Sequence, residues 1–134
     1  MILRFLIDTH IVVRWLVAPK KLSREQARVL ADAVRRREPV GVSAITLLEI
    51  AAIFGKGGSR RDADANQVLG VLESDPGFEI VPFTLDAAAE MAALGPPLRD
   101  PGDRAIVATA RVCGLRLITS DQRIIDSNLV PVVA

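Results

Sequence analysis

Short apolar runs of the strand type alternate with longer stretches of helical spacing, and this alternation constrains the fold of the chain most strongly. Strands are predicted over 3–7, 40–42, 78–83, 115–119 and 129–133. Helices are predicted over 9–17, 23–37, 44–54, 60–74, 85–94, 101–113 and 121–125, and 55–59 is a glycine-rich loop. Because strands separated by helices form parallel sheets that are covered on both faces, the sequence predicts an α/β fold.

Length and composition indicate one globular domain rather than a fibre, a disordered tail or a membrane protein. The chain has 134 residues, of which 50% are hydrophobic and 25% are charged, and a chain of this size can bury a sizeable core. Lys and Arg number 17 against 16 Asp and Glu, so the net charge of +1 does not point to nucleic acid or to an anionic membrane. The single Cys113 excludes an internal disulfide, and no apolar run reaches the roughly 18 residues of a membrane span. We expect a single cytoplasmic domain over residues 1–134.

Two aspartates follow predicted strands at the points where the strands end. Asp8 comes directly after the first strand, and Asp121 comes two residues after the strand at 115–119. The carboxyl ends of parallel strands share one edge of the sheet, where ligands bind in this fold class. Asp is also a preferred N-cap of helices, so capping explains either residue alone equally well.

Glu49 lies on a predicted helix, on the same face as Ile45, Ala52 and Ile53. A carboxylate on an apolar face is costly to bury unless it is paired or binds a metal ion. The alternatives are a glutamate at the edge of that face, which reaches water, and one that bonds a buried arginine. The spacing favours a functional glutamate that is directed inward.

Asp103 follows the helix-start signal Asp100-Pro101, which predicts an N-cap and a proline in the first helical turn. An acidic residue at this third position is also close to a capping box. However, Asp103 precedes Ile106 and Val107 by three and four residues, so it heads a stripe that faces inward. Capping is the simpler explanation for this residue taken alone.

Taken together, the four carboxylates predict a metal site. Carboxylates within a few ångströms of one another repel, and some stay protonated unless a cation intervenes. Mg²⁺ binds a few carboxylates while it keeps several waters, and such an ion assists the hydrolysis of phosphodiesters. Because the chain has one histidine, His10, and one cysteine, zinc sites and Cys–His or Ser–His–Asp catalysis have little support. The sequence therefore indicates metal-assisted hydrolysis of a phosphodiester.

Each of the four acids stands in a longer block of sequence. The blocks are LIDTH at 6–10, SAITLLEIA at 43–51, RDPGDRAIVATA at 99–110 and LITSD at 117–121. In this order they resemble the PIN-domain family, most closely its VapC-type toxins from bacterial toxin–antitoxin pairs. The resemblance implies a three-layer α/β/α sandwich with a mostly parallel sheet. It also implies an endoribonuclease that depends on Mg²⁺ or Mn²⁺, commonly forms a homodimer and is silenced by an antitoxin whose tail covers the active site.

The resemblance also assigns site residues. The family's catalytic metal ligands map onto Asp8, Glu49, Asp103 and Asp121. Thr119 matches the position of a hydroxyl that often supports the site. Gly102 departs from the pattern, since relatives often carry a bulky apolar residue there, and we expect it to loosen the local packing. All four acids are present, so the resemblance implies an intact site.

An enzyme that cleaves RNA also needs cations near its acidic edge. Arg104 directly follows Asp103, Arg123 lies two residues after Asp121, and Arg60 and Arg61 follow the glycine-rich loop. We predict that these arginines contact the RNA backbone. For each one taken alone, a solvated arginine or a helix salt bridge is the simpler explanation.

Two other classes of protein stay open from the sequence. A phosphoryl-accepting signalling domain also has a parallel α/β fold with clustered acids and Mg²⁺, but it needs an acid pair near the first strand and a lysine late in the chain. Here the first strand offers Asp8 alone, and the last lysine is Lys56. In a non-catalytic interaction domain, the acids would be helix caps only.

Overall fold

A parallel sheet of short strands forms the centre of the molecule. The computed structural model describes residues 2–54 and 58–134 and, within these ranges, the side chains other than those of 54 and 58–64. In these ranges the strands are β1 (Phe5–Ile7), β2 (Val40–Ser43), β3 (Phe78–Val81), β4 (Arg116–Ile118) and β5 (Val132–Val133). They lie in the order β3-β2-β1-β4-β5, and every pairing is parallel. The predicted α/β class is confirmed.

Helices connect the strands, as the sequence predicts. They are α1 (Thr9–Val17), α2 (Arg24–Arg35), α3 (Ala44–Phe54), α4 (Gly58–Ser74), α5 (Leu85–Ala93), α6 (Pro101–Cys113) and α7 (Gln122–Ser127). Ser23 and Gln26 form a capping box at the start of α2, and Gly114, with φ 67°, ends α6 in the left-handed conformation. Part of the loop predicted at 55–59 belongs to α4, and 55–57 lie outside the described residues. No helix in the described part of the chain has the length and apolar character to cross a membrane.

Two apolar clusters cover the two faces of the sheet. One contains Ile7 with residues of α1 to α4, and the other contains Leu6 with residues of α6 and α7. This division follows from strand geometry, because successive side chains of a strand point to opposite faces. All three residues of β1 are buried between these clusters. The molecule therefore has three layers, α/β/α.

The carboxyl ends of the central strands determine where a site can form. Strand β1 lies between β2 and β4, so the connections that leave β1 and β4 diverge and open a crevice at this edge. The Asp8 backbone N–H donates to the Ile118 carbonyl oxygen at 3.0 Å, which extends the β1–β4 pairing one residue beyond the strand. Asp8 and Thr119 are therefore neighbours at this edge.

Candidate functional site

Asp8 follows β1 and caps α1, and only 3% of the residue is exposed. Its Oδ1 accepts a hydrogen bond from the Thr9 backbone N–H at 2.8 Å, and its Oδ2 accepts one from the Thr119 hydroxyl at 2.7 Å. The Nδ1 of His10 lies 3.5 Å from the same Oδ2. These donors offset the cost of burying a carboxylate and determine the orientation of Asp8.

The Thr119 hydroxyl connects two of the predicted acids. It donates to Asp8 and accepts from the backbone N–H of Asp121 at 3.0 Å. Thr119 is fully buried and directly follows β4. One side chain therefore links the segments that follow β1 and β4, in the position where the resemblance predicts a supporting hydroxyl.

Glu49 reaches the same edge from α3. Its Oε1 accepts from the Thr9 hydroxyl at 2.5 Å, and that hydroxyl also lies 2.9 Å from the Thr46 hydroxyl. Burial raises the pKa of Glu49, while the hydrogen bond from Thr9 opposes the rise and the charges of Asp8 and Asp100 add to it. The surroundings of the Glu49 carboxylate therefore favour its binding a proton or a cation.

The face of α3 that carries Glu49 differs from the prediction. Ala52 and Ile53 are exposed rather than buried, whereas Thr46 and Ile50 are fully buried. Glu49 therefore lies at the border between the core and an open cleft, and not on a fully apolar face.

Gly102 leaves room for the Glu49 carboxylate. A Cβ atom at Gly102 would lie only 2.6 Å from Oε2 of Glu49 and 3.2 Å from Oδ2 of Asp100. The expected loosening of the packing is therefore wrong, because Glu49 fills the space that a larger side chain would take.

Asp103 is the least satisfied of the four acids. Asp100 caps α6, since its Oδ2 accepts from the Asp103 backbone N–H at 2.9 Å. The Oδ2 atom of Asp103 is buried and has no hydrogen-bond donor in the described structure. Burial raises the pKa of Asp103 to about 7, with further contributions from the charges of Asp100, Asp8 and Asp121 and an opposing one from Arg123. Capping therefore does not explain Asp103.

Asp121 caps α7 and is paired with Arg123. Its Oδ1 accepts from the Arg123 backbone N–H at 2.9 Å and from Nε at 3.2 Å, and its Oδ2 accepts from the guanidinium at 3.0 Å. This hydrogen bonding to Arg123 lowers the pKa of Asp121. The same guanidinium lies 3.7 Å from Oδ2 of Asp103, too far for a hydrogen bond. Arg123 thus places a positive charge between two predicted metal ligands.

The other predicted RNA-binding arginines are placed differently. The Arg104 guanidinium donates to three backbone carbonyl oxygens in the segment 91–98, at 2.6 to 2.8 Å. These bonds hold the Arg104 guanidinium against the end of α5 and the segment that follows it, and its contact with RNA stays a prediction. Arg60 and Arg61 belong to α4, but their side chains lie outside the described residues.

The four predicted acids converge on one edge of the sheet. Asp8, Glu49 and Asp103 line a cleft of about 480 Å³, and Asp103 also borders a recess of about 190 Å³ with Arg123. Asp121 is near enough for its charge to raise the pKa of Asp103. Among the described residues, no group of three carboxylate, imidazole or thiol side chains has the arrangement of a complete metal site. The cleft nevertheless suits a hard cation, since it combines several carboxylates with a buried oxygen that lacks a donor.

A larger cavity, of about 700 Å³, is lined mainly by other elements. Trp15, Val34 and Phe78 are among its lining residues, and the Trp15 and Phe78 rings meet edge to face with centroids 5.3 Å apart. None of the four acids lines it. Its size alone therefore does not make it the candidate site.

Gln26 lies at the acidic edge, and sequence reasoning misses it. Gln26 is fully buried on α2, and its Nε2 donates to the Ser120 hydroxyl at 2.8 Å across 94 positions of sequence. The sequence signal at this position is the capping-box spacing from Ser23, which predicts a helix start. That signal carries no information about the contact with Ser120.

Comparisons with known proteins identify the family and the fold of the chain. The chain matches the family model of the PIN domain over residues 5–127, and it is 31% identical over 121 residues to Ribonuclease VapC22 of Mycobacterium tuberculosis, with 89% of this chain and 88% of that protein covered. Its fold is similar to VapBC2 from Rickettsia felis bound to a DNA fragment from their promoter (TM-score 0.75, 16% identity, 99% and 98% covered). It is also similar to a toxin–antitoxin complex from Klebsiella pneumoniae (TM-score 0.65, 23% identity, 96% and 95% covered). The chain therefore belongs to the PIN-domain family, among the VapC-type ribonucleases.

Proposed function

We propose that this chain is a metal-dependent endoribonuclease, which hydrolyses RNA phosphodiester bonds at the acidic edge and is the toxin of a type II toxin–antitoxin pair. Its family and its similarity to a protein named Ribonuclease VapC22 support the ribonuclease activity. One observation carries the site: Oδ2 of Asp103 is buried beside other carboxylates and has no donor among the described residues. A bound cation is the group that satisfies such an oxygen.

In this proposal the four acids hold a Mg²⁺ or Mn²⁺ ion. The ligands are Asp8, Glu49, Asp103 and Asp121. When bound, the ion lowers the pKa of a water molecule and offsets charge on the phosphodiester. Asp8 contributes a carboxylate that Thr119 already orients, whereas Asp103 loses its proton when a cation takes the proton's place.

The position of Arg123 supports RNA as a partner, and the similarity to a solved structure supports an antitoxin. Arg123 lies beside Asp103 and Asp121 with an exposed side chain, which supports a contact with an RNA phosphate. One similar solved structure is described as a toxin–antitoxin complex, which supports an antitoxin partner, and coverage of the site by that antitoxin stays a prediction from the resemblance. The homodimer and the cytoplasmic location stay predictions from the resemblance and from the single cysteine.

Cleavage of RNA by the purified chain tests the proposal. We expect cleavage with Mg²⁺ or Mn²⁺, loss of cleavage in excess chelator, and at least a roughly 100-fold loss in Asp8→Asn, because even residues that only support metal ligands are worth about 10–100-fold. Asn is also a good N-cap, so this variant keeps the start of α1. The matched control is Asp86→Asn, an exposed acid in the first turn of α5. Cleavage by Asp8→Asn at the unmodified rate would contradict the proposal.

A further inference from the structure

Gln26 is a buried polar side chain that the proposed catalytic chemistry does not use. It lies on α2 with none of its surface exposed. Its Oε1 accepts from the Ser23 backbone N–H at 2.9 Å, which belongs to the helix cap. Its Nε2 donates to the Thr119 carbonyl oxygen at 3.3 Å and to the Ser120 hydroxyl at 2.8 Å. One end of the amide thus serves the helix, and the other end binds a distant segment.

That distant segment, Thr119–Ser120, lies between β4 and α7. Its Thr119 hydroxyl donates to Oδ2 of Asp8 and accepts from the Asp121 backbone N–H. On the other side, the Ser120 backbone N–H donates to Nε2 of His10 at 2.9 Å. The segment that spaces two of the acids is therefore bonded from both α1 and α2.

We propose that Gln26 is a positioning residue of the active site, which acts through the Thr119–Ser120 segment on Asp8 and Asp121. The inference rests on the proposed function. The physical reason is that a buried amide with both ends bonded restrains the segment, and the segment sets the spacing of two carboxylates. Small displacements of such groups cost large factors in rate, because the reacting groups must be held in the productive geometry.

Two variants separate this role from helix capping. Gln26→Leu keeps the approximate volume of the side chain and removes both ends of the amide. Ser23→Ala removes the hydroxyl that accepts from the Gln26 backbone N–H at 3.1 Å and leaves the two contacts of Nε2 in place. Both variants weaken the cap of α2, and Gln26→Leu alone removes the contacts with the segment.

Calorimetric titration of the full chain with Mn²⁺ gives a readout that a capping defect does not move. We expect Gln26→Leu to weaken Mn²⁺ binding about 10-fold or more, within the range for residues that support metal ligands. We expect kcat for RNA cleavage to fall by a similar factor, with KM within about twofold of the unmodified value. Ser23→Ala should lower the melting temperature and leave Mn²⁺ affinity and kcat unchanged. Equal losses of Mn²⁺ affinity in the two variants, or none in Gln26→Leu, would overturn the inference.

If Gln26→Leu does not fold, Ser120→Ala tests the positioning role of Gln26 instead. Ser120 is exposed, so this variant disturbs the core little while it removes one acceptor of the Gln26 amide. We expect a loss of Mn²⁺ affinity of about threefold, and unchanged affinity would count against the inference. If the unmodified chain neither binds Mn²⁺ nor cleaves RNA, the proposed function itself fails. If the unmodified chain binds Mn²⁺ and cleaves RNA, and Gln26→Leu and Ser120→Ala do so equally well, the proposed function stands and the role of Gln26 fails.

Discussion

Asp8 and Asp103 lie at the same edge of the sheet, yet their surroundings are opposite. Both carboxylate oxygens of Asp8 accept hydrogen bonds, from the Thr9 backbone and from the Thr119 hydroxyl. Asp103 has a buried oxygen without a donor in the described structure, and burial with neighbouring charges raises its pKa to about 7. The fold thus completes the bonding of one carboxylate and leaves the other to be completed by a bound group.

The same difference separates helix caps from ligands. Asp8, Asp100 and Asp121 each accept from a backbone N–H at a helix start, so an interaction domain with acids as caps would explain them. No helix cap accounts for Asp103 or Glu49, and burial raises the pKa of both. Buried polar groups without partners are rare, and acids with strongly raised pKa values concentrate at functional sites. The comparison therefore favours a catalytic centre over helix caps alone.

Asp103→Asn replaces the carboxylate whose buried oxygen lacks a donor among the described residues, and we expect it to have the largest effect. We expect RNA cleavage to fall by at least about 100-fold, since a proposed metal ligand is lost. We also expect the metal-free variant to melt about 2–5 °C higher than the unmodified chain at pH 8. The folded-state pKa lies above the ordinary value, so the folded protein binds more protons between about pH 4 and 7, and its stability falls as the pH rises through that window. Calorimetric melting in chelator at pH 5 and pH 8 measures the effect.

Two results would contradict this account of Asp103. The gain in melting temperature should be clearly smaller at pH 5 than at pH 8, because pH 5 lies near the lower end of the window in which the folded chain loses stability, so an equal gain at both pH values would exclude ionisation as its cause. Asp8→Asn serves as the comparison variant, and it should not gain stability at pH 8, because the Asp8 carboxylate has its donors. A gain of stability in Asp8→Asn would show that the two acids do not differ.

Thr119→Val tests the hydrogen bonds that orient Asp8 and the Asp121 backbone, and it should have an intermediate effect. The substitution keeps the branched shape of the buried side chain but removes the donor to Asp8 and the acceptor of the Asp121 N–H. We expect Mn²⁺ affinity to fall about 10-fold, as for other residues that support metal ligands. Loss of a buried hydrogen bond to a charged group should also cost about 1.5–3 kcal/mol of unfolding free energy. Calorimetric titration and urea unfolding measure the two quantities.

Thr109→Val is the matched control for this prediction. Thr109 is equally buried, but its hydroxyl donates to the Ala105 carbonyl oxygen within α6, and among the described residues it has no hydrogen bond to an acid. The control should therefore leave Mn²⁺ affinity unchanged, and Thr119→Ser, which keeps a hydroxyl, should restore most of the affinity. An equal loss in both valine variants would mean that Thr119 acts through packing rather than through its hydroxyl.

The sequence predicts the helices and strands well because their signals are local. Helix α1 runs from Thr9 to Val17 as predicted, since Asp8 caps its start and Pro19 lies shortly after its end. A rule about parallel strands, which needs no side-chain detail, predicts that Asp8 and Asp121 lie at one edge of the sheet. The predicted strands at 115–119 and 129–133 are shorter in the structure, at Arg116–Ile118 and Val132–Val133, because strand ends depend on pairing with neighbours.

The features that the sequence did not predict concern side chains whose surroundings come from distant parts of the chain. Helix α3 is apolar almost all around, so its periodicity does not distinguish the fully buried Ile50 from Ile53, which is 56% exposed. Arg104 adjoins Asp103 in sequence, but its guanidinium bonds carbonyl oxygens at the end of α5. Gln26 bonds a segment more than 90 positions away. Contacts of this kind follow from tertiary packing, which local spacing does not encode.

Arg123→Ala removes the positive charge between Asp103 and Asp121. We expect it to have the smallest effect. In the absence of RNA, we expect Mn²⁺ affinity to rise about two- to fivefold, since the arginine competes with the ion but exposed ion pairs contribute little. RNA affinity should fall, and its dependence on salt should decrease by about 0.7 in logarithmic slope if one phosphate contact is lost. Arg28→Ala is the matched control, because Arg28 forms an exposed ion pair with Glu25 away from the acids. Weaker Mn²⁺ binding in Arg123→Ala would instead show that this arginine supports the acids and does not occupy the place of the ion.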